Sequence, residues 1–132
     1  MKKYIKTMLA IICAVAMLIV TSVSVYAVTP RYKYINGMTV SLTCNGNNAY
    51  CYVTVTGSDD VSGYINGTAT LTDENGTVYG NWTNLSMTGD NFHWAQTVLN
   101  VPKGHTYTLD FTITANASGR PETISGDCDY VY

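Results

Sequence analysis

The chain has 132 residues, 46% of them hydrophobic and 12% charged, with a formal net charge of −2. That balance is too apolar and too weakly charged for intrinsic disorder. Its basic residues are too few for nucleic acid or an anionic membrane surface as partner.

Residues 1–27 read as a signal peptide. Lys2, Lys3 and Lys6 give a positive start, and Met8 to Val20 is an uncharged apolar run. That run is shorter than the ~20 residues of a spanning helix. Val25 and Ala27 place modest side chains before a cut that leaves Val28 as the first mature residue. Residues 28–132 then form a single domain, with four basic residues against nine acidic ones and a net charge of −5. The chain shows neither a hydrophobic tail nor a basic cluster, so no stable membrane anchor is expected. The expected location is secreted, outside the cell.

Within the mature part, apolar and polar residues alternate with period two, the mark of half-buried strands. Val40, Leu42 and Cys44 alternate with Thr39, Ser41 and Thr43, and Cys51, Val53 and Val55 with Tyr52, Thr54 and Thr56. A hairpin centred on Asn47-Asn48 joins the two runs and sets Cys44 opposite Cys51. Cys13 leaves with the leader, so Cys128 is the third mature cysteine. The hairpin register favours a Cys44–Cys51 disulfide over a bridge to Cys128 or three thiols.

Ile65, Gly67, Ala69 and Leu71 mark a third strand, closed by the turn signal Asp73-Glu74-Asn75-Gly76. Val78 to Leu85, with Trp82, is a fourth, and Phe92, Trp94 and Val98 lie along a fifth. Tyr107, Leu109, Phe111, Ile113 and Ala115 make the clearest, the sixth. A seventh runs through Ile124 to Cys128, Tyr130 and Tyr132. No window keeps helical spacing over three turns. Seven strands with frequent turn signals predict an all-β, two-sheet sandwich.

Tyr34-Ile35-Asn36-Gly37 recurs as Tyr64-Ile65-Asn66-Gly67. The apolar residues that follow fall one position out of step, which turns them to opposite faces. Similar punctuation of two hairpins, not duplication, is the reading.

The segment Val101-Pro102-Lys103-Gly104-His105-Thr106-Tyr107-Thr108-Leu109-Asp110-Phe111 resembles the approach to strand F of fibronectin type III and other immunoglobulin-like domains. That resemblance implies an immunoglobulin-like sandwich of about seven antiparallel strands. Tyr107 would be its corner tyrosine, with ring in the core and hydroxyl on nearby backbone. The lysine-led leader, the mature start Thr29 to Tyr32 and the Cys-bearing strand also resemble a loosely defined set of small secreted β-sandwich proteins of Gram-positive bacteria. That set carries no catalytic motif.

Chemistry-bearing residues are sparse. His93 and His105 are the only histidines, and neither stands in a recognised spacing with Cys128 or a serine nucleophile. Asp59-Asp60, and Asp127 with Asp129, read as solvated carboxylates, too few for a calcium site. No enzyme activity, cofactor or metal is expected. The surplus is aromatic: Tyr50 and Tyr52 lie out of phase with inward Cys51 and Val53, and together with Trp82 form the expected binding face. Such aromatics stack on sugar rings or bury into a protein partner. The expected function is therefore a secreted, non-catalytic binding or surface-interaction module for a protein or a glycan. The alternative is a small secreted antagonist, a bacteriocin-like toxin or an enzyme inhibitor.

Overall fold

The computed structural model describes residues 32–132 and the strand Val25–Ala27. The expected leader otherwise lies outside the described residues. Eight strands follow one another: β1 (Val25–Ala27), β2 (Ile35–Asn45), β3 (Asn48–Gly57), β4 (Val61–Asp73), β5 (Val78–Thr88), β6 (Asn91–Val98), β7 (Thr106–Ala117) and β8 (Arg120–Val131). The described residues contain no helix, and hence none long and apolar enough to cross a membrane. β1 sits on the leader side of the expected cut.

All pairings are antiparallel and build two sheets. Sheet I has the order β1-β2-β3-β6 and sheet II the order β5-β4-β7-β8. Period-two alternation explains the layering. On β2 every second residue from Met38 to Cys44 is buried, and on β7 every second residue from Tyr107 to Ala117. The inward sets of the two sheets form one core that includes Leu42, Val53, Leu71, Phe92, Leu109, Phe111 and Ile113.

Both flanks of this sandwich-like fold are stitched by side chains. Along the β2–β8 flank the Glu122 carboxylate accepts from the backbone amides of Lys33 and Tyr34. Tyr130 Oη donates to the Cys44 carbonyl, and Tyr132 Oη accepts from the Asn47 amide. Along the β5–β6 flank the Trp82 and Trp94 rings meet edge-on, 5.0 Å between centroids. These contacts join segments 80-odd residues apart in the chain in the first case, and in the second they bring together β5 and β6, an edge strand of each sheet.

The Tyr107 expectation is met: its ring is fully buried and its hydroxyl donates to the Pro102 carbonyl. The third strand needs correction. Ile65 is 47% exposed while Tyr64 is buried. The register slips between Tyr64 and Gly67, where Asn66 takes a positive φ of 55°. A bulge at that point turns Ile65 outward, and the phase recovers at Gly67. In the other copy of the tetrapeptide it is Ile35 that is buried, so the two copies present opposite faces to the core.

Candidate functional site

The β2–β3 hairpin fixes the outer face of sheet I. Asn45 pairs with Asn48, so the loop is the two residues Gly46 and Asn47, both with positive φ. That is the backbone a twist-matched hairpin turn requires, and glycine and asparagine adopt it at little cost. The turn therefore lies one residue earlier than the alternation suggested. Cys44 faces Ala49, and Cys51 faces Leu42.

The expected Cys44–Cys51 disulfide is corrected by this register. The two cysteines share the inward face but stand diagonally. Diagonal Cβ atoms are farther apart than the roughly 3.8 Å a disulfide needs. Both are free thiols, buried in the core. Burial raises Cys44 to about 11. It raises Cys51 to about 12, with charge on Cys44 adding to the effect. Cys128 is buried on β8 opposite Leu109.

With Cys51 and Val53 inward, Tyr50 and Tyr52 point out, 42% and 45% exposed. Tyr50 stands between Thr43 and Thr97, and Tyr52 between Ser41 and Ala95. Their small neighbours on β6 leave a shallow cavity of about 470 Å³ beside the two rings. Among the described residues neither tyrosine makes a hydrogen bond or a ring contact. Other tyrosines are committed to the fold: Tyr64 Oη donates to the Asp90 carbonyl, Tyr79 Oη to Asp73, Tyr107 to Pro102 and Tyr130 to Cys44.

Trp82 does not join this face. It lies on β5 opposite Ala69, in the other sheet, half-buried against the core and Trp94. Its ring folds back over Gly80, where an added Cβ would come within 2.2 Å of it. Sequence reasoning could not foresee this, because the partner ring is on a strand that pairs with neither β4 nor β5.

A larger cavity, about 540 Å³, follows the β4 bulge and is lined by Tyr64, Ile65, Met87 and small polar residues. Its tyrosine is turned into the core with its hydroxyl already bonded. The smaller cavity beside Tyr50 and Tyr52 offers more unused recognition chemistry.

One further cluster was missed by the sequence reading, since its parts lie on two separate connections. Asp73, Glu74 and His105 bring one ligand atom each within 4.8 Å of one another, and these three could hold a divalent cation. Their atoms already have partners. Asp73 Oδ1 accepts from the amides of Asn75 and Thr77, and Oδ2 from Tyr79. Glu74 meets His105 Nδ1 at 3.0 Å and accepts from the Thr106 amide. Burial alone would raise the Asp73 carboxyl; those amides, the Tyr79 hydroxyl and His105 outweigh it and hold it below its ordinary value. The network ties the β4–β5 turn to the start of β7.

Of the remaining singled-out groups, His93 stands exposed opposite Thr54 on the outer face of sheet I, whereas Cys128 is buried on β8 in the other sheet. On sheet II, Asp110 directly faces Asp127, and Asp129 accepts from Thr108 Oγ1. Partial burial, then the charges of Asp127 and Asp129, raise the Asp110 carboxyl.

No protein-family model matches the chain, and a search of curated proteins finds no match either.

Proposed function

We propose that this chain is a secreted, non-catalytic binding module that engages its partner through the outer face of sheet I, centred on Tyr50 and Tyr52. The observation that carries the reading is the pair of idle, half-exposed tyrosines beside the shallow cavity, in a fold whose other tyrosines are largely committed to holding it together. Aromatic side chains present large amphipathic contact area at little entropic cost, which is why they anchor interfaces.

An immunoglobulin-like identity for the sandwich belongs to the same proposal. The seven long strands can be lettered A to G from β2 to β8. A, B and E then make one sheet and C, D, F and G the other. That order differs from a constant-type immunoglobulin domain only in the sheet that the fourth strand joins. The Tyr107–Pro102 bond at the start of β7 supports it.

The test is capture from culture and host extracellular material by the purified protein and by a Tyr50→Ala/Tyr52→Ala variant. A partner held by the parent and lost by the folded double variant supports the module. A partner held equally by both refutes this face as its seat.

A further inference from the structure

The three long strands of sheet I contain no Asp, Glu, Lys or Arg: they read INGMTVSLTCN, NAYCYVTVTG and NFHWAQTV. The β7–β8 half of sheet II holds Asp110, Arg120, Glu122, Asp127 and Asp129. In a chain whose mature part carries a net charge of −5, an uncharged sheet bearing the two idle tyrosines is a chemical contrast between the faces.

That contrast bears on the partner. Charge complementarity steers and orients protein partners, and the strands of this face supply no Asp, Glu, Lys or Arg for it. The polar groups flanking the tyrosines are hydroxyls, Thr43 and Thr97 beside Tyr50 and Ser41 beside Tyr52; the Gln96 carboxamide also lines the cavity, and His93 stands on the same face opposite Thr54. A neutral sugar ring asks for this combination, an aromatic surface for its C–H face and small hydroxyls for its rim. Two residues apart on one strand, the tyrosine Cα atoms are separated by about 7 Å along β3. The groove beside them runs the same way, between the rows Tyr50/Tyr52 and Thr97/Ala95.

Building on the proposed binding face, we infer that its ligand is a neutral polysaccharide lying along β3, with one sugar ring against Tyr50 and another against Tyr52. An acidic glycan gains nothing here, because no cation stands on the sheet to meet it, and the acidic residues elsewhere repel it.

Affinity electrophoresis of the full chain tests this, in gels containing hydroxyethyl cellulose, mannan or soluble starch, with insoluble chitin by sedimentation and polygalacturonate as the anionic comparison. At least one neutral polymer retards or sediments the protein, and 1 M NaCl leaves the binding unchanged, because little of it is electrostatic. Tyr50→Ala and Tyr52→Ala each weaken it roughly tenfold, in line with the loss of one stacked ring. Ile65→Ser, exposed on the other sheet, leaves it intact. Retardation by polygalacturonate alone, or by none of the polymers, overturns the inference. If no neutral polymer binds but a protein is captured through Tyr50 and Tyr52, the glycan assignment falls and the binding face stands. If neither is seen, both fall.

Discussion

The Tyr107 hydroxyl donates to the carbonyl of Pro102, five residues earlier, and so fixes the loop entering β7 to the strand it feeds. Tyr107→Phe keeps the buried ring and removes this bond, together with the hydroxyl's interaction with Tyr79. Stability falls by about 1 kcal/mol, the net worth of one such hydrogen bond. The urea midpoint measures it, with the denaturant slope unchanged. An unaltered midpoint would show that the bond contributes nothing.

The Trp82–Trp94 contact makes a second prediction. Trp82→Ala removes a half-buried ring and its edge-on partner, at a cost of about 2 kcal/mol, below the range for a wholly buried tryptophan. Under conditions where the variant is folded, its ligand capture matches the parent's, because Trp82 is not part of the Tyr50/Tyr52 face. Loss of capture by the folded variant would return Trp82 to the binding surface.

These two aromatics show what the sequence discloses and what it hides. Tyr107 was legible because its turn and its alternating run are contiguous in the chain. Trp82 was not, because its packing partner is set by how two sheets close on one another. The hairpin lies between these cases. Alternation correctly put Cys44 and Cys51 on the inner face and Tyr50 and Tyr52 on the outer. Only the positive-φ pair Gly46-Asn47 decides which residue faces which. A one-residue move of the turn preserves the facing but shifts the partner of Cys44 by two residues and leaves the cysteines diagonal. Ile65 failed for a related reason: a bulge at Asn66 inverts the phase locally, and strict alternation has no means to register it.

Asp110 and Asp127 face each other as like charges across β7 and β8. Asp127→Asn is expected to stabilise the protein at neutral pH by about 0.5 kcal/mol, and less in high salt. The raised Asp110 carboxyl gives the sign. The folded state holds that proton more tightly than the unfolded chain does. Its contribution to stability is therefore fully present below the ordinary value of 3.8 and is lost as pH rises through the raised one. The gain from Asp127→Asn accordingly disappears in acid. Urea titrations of both proteins at pH 3 and pH 7 check this; equal stability of the two at pH 7 would refute it.

The buried thiols make an alkaline prediction. With Cys44 at about 11 and Cys51 at about 12, against an ordinary 9.0, the folded state again retains protons that the unfolded chain releases. Their contribution is complete below pH 9 and is lost as pH climbs through the folded values. The urea midpoint falls across that window, and falls less steeply in a Cys44→Ala/Cys51→Ala variant. A thiol reagent added to unreduced, denatured protein finds two more thiols in the parent than in that variant. No difference in the count would mean that a disulfide engages at least one of the two cysteines.

The central claim is that Tyr50 and Tyr52 are presented to solvent with their rings and hydroxyls idle, while Tyr64 and Tyr107 are locked in the core. Nitration by tetranitromethane, followed residue by residue by mass spectrometry on the native protein, measures this directly. Tyr50 and Tyr52 are expected to react first. Tyr64 and Tyr107, fully buried and raised to about 12, react only on unfolding. Nitration of Tyr64 or Tyr107 as fast as Tyr50, or protection of Tyr50 and Tyr52 in the native protein alone, would contradict the account.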